Sequence, residues 1–180
     1  MSAHHPPTLF QSESHNEKFP FHEISVLVVE DAPQFAGIVA GILKSFGIGK
    51  IYPARNGEDA LYILAHQRVH VVLVDDLEPP LDGRTVVKTL RKPDSGLPNH
   101  VPVIFMTERP FKTNILAARD SGATEVLSKP FSAAQLMTRI ESVLRRPRPI
   151  IHSDDFDGPD RRRQVKAAPD KKRASDREPE

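Results

Sequence analysis

Glu30, Asp31, Asp75, Thr107 and Lys129 each stand at or just past the end of a short apolar run: VLVVED, VVLVDD, VIFMT and VLSK. Runs of this kind, rich in β-branched residues and bounded by turn formers, read as strands buried on both faces. Such strands belong in a parallel sheet covered by helices, where ligands bind beyond the carboxyl ends of the strands. Clustered carboxylates repel one another unless a hard cation binds them, and oxygen donors without Cys or His select Mg²⁺ or Mn²⁺. A carboxylate in that setting can also act as a nucleophile on a phosphoryl group, whose charge a metal, an ammonium and a hydroxyl neutralise. On this reading Asp75 accepts the phosphoryl group, Asp31 holds the metal directly and Glu30 supports it through water. Thr107 donates to one phosphoryl oxygen and Lys129 pairs with another. Asp76 follows Asp75 by one residue, so strand alternation points it elsewhere. Taken singly, each residue has a plainer role as a helix cap, a strand former or part of a Lys-Pro loop. Their joint occurrence, in this order, favours the chemistry.

The positioning elements follow from periodicity. Strands are expected over Ile24 to Asp31, Lys50 to Ala54, Val69 to Val74, Pro102 to Met106 and Glu125 to Leu127. Between them, helical spacing runs from Pro33 through Phe35, Ile38, Val39, Ile42, Leu43 and Phe46 to a stop at Gly47. A second helix covers Glu58 to Gln67, a third follows Gly83 with Val86, Val87 and Leu90 inward, and a fourth passes through Ile115, Leu116 and Ala118. The last opens at Ser132, which has capping-box spacing to Gln135, and ends by Pro147. Strands alternating with helices give an α/β, doubly wound, five-stranded parallel sheet.

Composition sets the bounds. A chain of 180 residues with 38% hydrophobic content supports one core flanked by poorer ends. Residues 1–22 are expected to be a disordered leader, 23–147 the folded domain and 148–180 a disordered charged tail. His4-His5 in the leader read as incidental. The absence of cysteine removes disulfides, thiolate nucleophiles and cysteine metal sites, which fits a reducing compartment. A formal net charge of +1 gives no global pull toward nucleic acid. The tail clusters, Arg161-Arg162-Arg163 and Lys171-Lys172-Arg173, are interspersed with acids and read as solvated. No apolar run is long enough to span a membrane.

The motifs VLVVED, VLVDDLEPPLDG, VIFMTE and GATEVLSKPF together resemble the receiver domain of bacterial response regulators, over about Ile24 to Arg146. The resemblance implies a flavodoxin-like strand order 2-1-3-4-5 with helices on both faces. It also implies phosphotransfer to Asp75 from a histidine kinase or phosphotransfer protein in the cytoplasm, and Mg²⁺ held by Glu30, Asp31, Asp75 and the Leu77 carbonyl. The chain departs from the family pattern at Val126, where an aromatic switch residue is usual, and at Glu108, where a small residue is usual. Arg109 offers a cation that can pair with Glu108 or with a phosphoryl oxygen. No DNA-binding module is legible after the last helix, so output is expected through protein contacts on the fourth helix, fifth strand and fifth helix. The expectation is of a signalling protein and not a turnover enzyme: a hydrolase would need an acid two residues after the nucleophile, and Leu77 stands there. The competing reading is a receiver-fold adaptor that works without phosphorylation, favoured by Val126 and Glu108.

Overall fold

The computed structural model describes residues 20–153 and 155–162. Its strands are β1 (Ser25–Val29), β2 (Lys50–Ala54), β3 (Val71–Val74), β4 (Val103–Thr107) and β5 (Glu125–Ser128). They form one parallel sheet of order β2-β1-β3-β4-β5. The helices are α1 (Pro33–Ser45), α2 (Gly57–His66), α3 (Gly83–Arg91), α4 (Lys112–Asp120) and α5 (Ala133–Arg145). The expected fold and strand order are therefore the observed ones.

Every residue of β1, β3 and β4 is buried, because both faces of the sheet are covered. Alternation sends Leu27, Val29, Val72, Val74, Val103 and Phe105 to a core shared with Ala60 and Leu64 of α2, Val86, Val87 and Leu90 of α3, and Ala118 of α4. Val26, Val28, Val71, Leu73, Ile104 and Met106 face the opposite core, with Val39 and Leu43 of α1 and Leu136, Ile140 and Val143 of α5. Two layers of helices thus clamp the three central strands, whose carboxyl ends stay open for the site.

Local signals act as their chemistry dictates. Asn56 caps α2 through the Asp59 N–H at 2.8 Å, and Asp82 caps α3 through the Thr85 N–H at 2.7 Å. Ser132 and Gln135 form the full capping box of α5. Gly83 lets α3 start against the site: a Cβ there would lie 2.0 Å from the Asp75 carbonyl oxygen. Ile38 of α1 and Phe46 at its C-cap, expected to face inward, are 59% and 42% exposed. Val39 and Leu43 occupy the inward stripe, and the apolar content of α1 exceeds what one face can bury.

The largest departure lies after α5. Residues from 148 were expected to be disordered, yet β6 (Ile150–Ser153) and β7 (Phe156–Pro159) form an antiparallel hairpin. Its hold on the domain comes from backbone packing and cations, not from an apolar stripe. A Cβ on Gly158 would lie 2.9 Å from the Gly122 Cα, and Gly122 itself has φ +100°. Arg161 stacks on the Phe156 ring at 4.1 Å, pairs with Asp120 at 2.8 Å and donates to the Arg119 carbonyl at 3.1 Å. The expected leader also ends early, since a 3-10 turn covers Phe21–Glu23 and the Phe21 carbonyl accepts the Gly49 N–H at 3.1 Å. Residues 1–19 and 163–180, including His4-His5 and the second basic cluster, lie outside the described residues. Among the described residues no helix is long and apolar enough to cross a membrane.

Arg91 is completely buried at the end of α3, beside Gly122. Its Nε donates to the Gly122 carbonyl at 2.9 Å, and Nη1 donates to the carbonyls of Asn99 and Val101. Burial draws its pKa down to about 10, so it remains a cation tying three loop carbonyls to one helix. Arg91→Ala leaves those carbonyls unpaired and opens a cavity; urea unfolding should show a loss of about 3 kcal/mol or more.

His70 provides a pH signature remote from the site. Its Nδ1 accepts the Ser25 N–H at 3.0 Å, and burial first, then Arg68, lowers its pKa from the ordinary 6.5. The folded state binds this proton less tightly than the unfolded state does. Stability is therefore full above pH 6.5 and falls as pH drops from there through the lowered folded value. Chemical unfolding of His70→Asn at a series of pH values should show a flatter slope over that interval.

Candidate functional site

β1, β3, β4 and β5 end side by side, so their terminal residues converge. Glu30, Asp31 and Asp75 each place a carboxylate oxygen within 4.8 Å of the others. Glu30 is 2% exposed, and its Oε1 accepts the Ala32 N–H at 3.1 Å. Lys129 bridges the acids, its Nζ 2.7 Å from Asp75 Oδ2 and 3.1 Å from Glu30 Oε2. Below the ammonium lies the Phe35 ring, 3.9 Å from Nζ to centroid, braced edge-on by Phe131.

This arrangement is electrostatically unbalanced. Of three neighbouring carboxylates the ammonium pairs with two, and Asp75 Oδ1 is buried with no hydrogen-bond partner among the described residues. Burial, then the charge of Asp75, raises the pKa of Glu30 against the opposing bonds from Lys129 and the Ala32 N–H. Burial acts to lower Lys129, but its hydrogen bonds and charge pairing with Asp75 and then Glu30 outweigh that and hold it above its ordinary value. An orphaned carboxylate oxygen flanked by two further acids is a donor set for a hard divalent cation, and it fits Mg²⁺.

The five side chains expected at the site all sit at this end of the sheet, but Thr107 is engaged differently from the expectation. Its hydroxyl donates to Asp76 Oδ2 at 3.0 Å and accepts the Arg109 N–H at 3.0 Å. Asp76, expected to point away, is thus part of the constellation. The Asp75 N–H still donates to the Val29 carbonyl at 3.0 Å, but Asp76 lies past β3 and its last ladder bond, so alternation no longer governs it. Two consecutive acids past a strand end were the available signal. Leu77 is buried at 6% exposure. Val126 is half-buried against the core, while Glu108 and Arg109 are exposed and form no ion pair with each other among the described residues.

Comparison with known proteins converges on one group. Residues 26–141 match the family model described as the response regulator receiver domain. A curated relative, "Probable transcriptional regulatory protein TcrX" of Mycobacterium tuberculosis, is 32% identical over 123 residues, covering 68% of this chain and 50% of its own length. The chain thus spans about half the length of that relative. The Francisella response regulator 1452 receiver domain superposes with a TM-score of 0.61 at 28% identity, covering 67% of this chain and 96% of that one. The receiver domain of a sensor histidine kinase from Pseudomonas aeruginosa PAO1, described with a magnesium ion coordinated in its active-site cleft, gives 0.60 at 25% identity and covers 67% and 97%.

The raised pKa of Glu30 has a stability consequence. The folded state holds the Glu30 proton more tightly than the unfolded state, so stability falls as pH rises from 4.5 through the raised folded value. In the presence of a chelator, Glu30→Gln should be more stable than wild type at pH values above the raised folded value, with the gain vanishing at acid pH. Urea midpoints of both proteins across that range check it.

Proposed function

Because this chain belongs to the response regulator receiver family, we propose that it accepts a phosphoryl group on Asp75 from a histidine kinase or phosphotransfer protein. In this step an Asp75 oxygen bonds to phosphorus as the phosphorus–nitrogen bond of the donor's phosphohistidine breaks, and the imidazole leaves with the electron pair. The observation that carries the reading is Asp75 Oδ1, buried and unpartnered beside two other acids while Lys129 holds Oδ2.

Glu30, Asp31, Asp75 and the Leu77 carbonyl are the proposed holders of Mg²⁺, which would supply positive charge to the phosphoryl oxygens. Lys129 offsets the charge of the carboxylate and then of the phosphoryl group, and burial of the triad keeps bulk water from screening that charge. Thr107 donates to a phosphoryl oxygen once its proton leaves Asp76. Transfer stops at one phosphoryl group, apart from slow self-dephosphorylation, so the protein signals and does not turn over substrate.

Output is assigned to protein contacts on α4, β5 and α5. Phe111 and Leu116, 69% and 44% exposed on and beside α4, suit a protein partner better than a polyanion. Besides the receiver fold and the hairpin, the described residues hold no DNA-reading element. A histidine-kinase donor sets the site of action in the cytoplasm. A phosphorylation-independent adaptor is the second reading, favoured by Val126, which has no ring to swing.

Intact-mass analysis with a small phosphodonor, and with candidate histidine kinases, tests the assignment. One phosphoryl adduct is expected, dependent on Mg²⁺ and absent from Asp75→Asn. No adduct from any donor would support the adaptor.

A further inference from the structure

A hydroxyl has one proton to give, and that of Thr107 is already given. It goes to Asp76 Oδ2 at 3.0 Å, while the hydroxyl oxygen accepts the Arg109 N–H at 3.0 Å. Thr107 is 2% exposed, so bulk water does not compete for that proton. Asp76 is exposed, follows the proposed phosphoacceptor directly, and has no cationic partner among the described residues. Lys129 is committed to Asp75 and Glu30. The acid therefore has one evident function in the resting fold, which is to keep the Thr107 proton.

We propose that Asp76 is a positioning residue: a latch that holds the Thr107 hydroxyl in the resting state and competes for it with the phosphoryl group. The inference rests on Asp75 as phosphoacceptor. When a phosphoryl group arrives, its oxygens and the Asp76 carboxylate are both anionic acceptors for the same proton, and Thr107 can serve only one. Each engagement is a charge-assisted hydrogen bond, so neither wins by default and the active arrangement is held back by the strength of the latch. Asp76 also adds like charge beside the incoming anion, which acts in the same direction. A chain with Val126 in place of a swinging ring thus retains a two-position element at β4, built from Thr107 and the acid that faces it.

Two measurements test this. The first needs no phosphoryl group: side-chain couplings of Thr107 by NMR should report one rotamer in the wild type and rotamer averaging in Asp76→Ala. The second is affinity for beryllofluoride, a phosphoryl mimic, in the presence of Mg²⁺. Asp76→Ala should bind about tenfold more tightly than wild type, the share of one charge-assisted hydrogen bond, with Asp76→Asn between them. In a Thr107→Val background the effect of Asp76→Ala should shrink to the part due to charge alone, a coupling that a merely structural role would not produce. A fixed Thr107 rotamer in Asp76→Ala, or unchanged beryllofluoride affinity in a wild type that binds it, overturns the latch and leaves the phosphoacceptor intact. Failure of the wild type to bind beryllofluoride overturns the phosphoacceptor reading and the latch with it.

Discussion

The bond between the Lys129 ammonium and the carboxylates of Asp75 and Glu30 is the constraint around which the strand ends are arranged. Three acids brought together at the edge of a buried sheet would push β1 and β3 apart without a cation. The ammonium that pairs with them comes from just past the end of β5, 54 residues from Asp75 and 99 from Glu30 in sequence. Reaching it requires strand order β2-β1-β3-β4-β5, which puts β3 between β1 and β4 and lets Lys129 cross above β4. Phe35 and Phe131 then close over the ammonium from α1 and from the entry to α5. The ion triad and the two helical layers therefore specify the same topology.

The balance is deliberately incomplete in charge terms. One cation for three acids leaves Glu30 with a raised pKa and Asp75 with an unpaired oxygen, both costs to the isolated fold. Functional sites commonly hold such costs, which the two apolar cores offset elsewhere. The surplus negative charge is also what a divalent cation would recognise, so the same feature destabilises the free protein and prepares it for a ligand.

Much of this was readable in the residues themselves, for reasons that are local. The fully apolar runs of β1, β3 and β4 could be buried only between two layers, and acids at their ends had to meet once the sheet was parallel. The Ser132–Gln135 box and the Asp82 cap announced helix starts because their hydrogen bonds involve neighbours in sequence. What escaped depends on contacts that composition does not encode. Asp76 meets Thr107 because it lies past the end of β3, where the alternation that would point it away no longer holds. Ile38 and Phe46 carry the same signal as the core positions because an apolar helix looks the same whichever face is covered. The β6–β7 hairpin lies in a stretch that reads as disordered because its anchoring uses Gly122 against Gly158 and Arg161 on Phe156, and neither pairing has a hydrophobic period.

That hairpin has a consequence for the order in which the molecule is built. It is the last described structure to leave the ribosome, after all five strands of the sheet and all their helices are available to fold. Until it arrives, the Gly122 backbone and the ground beside Arg91 are open to water. Docking of β6–β7 is thus a closing event laid on a domain already formed, and its bonds sit at the amino-terminal side of β5, far along the sheet from Asp75. Units anchored at the periphery of a domain generally open below the energy of global unfolding. The two ends of the sheet are accordingly held by different means, one by charge and one by a late-fitting clasp.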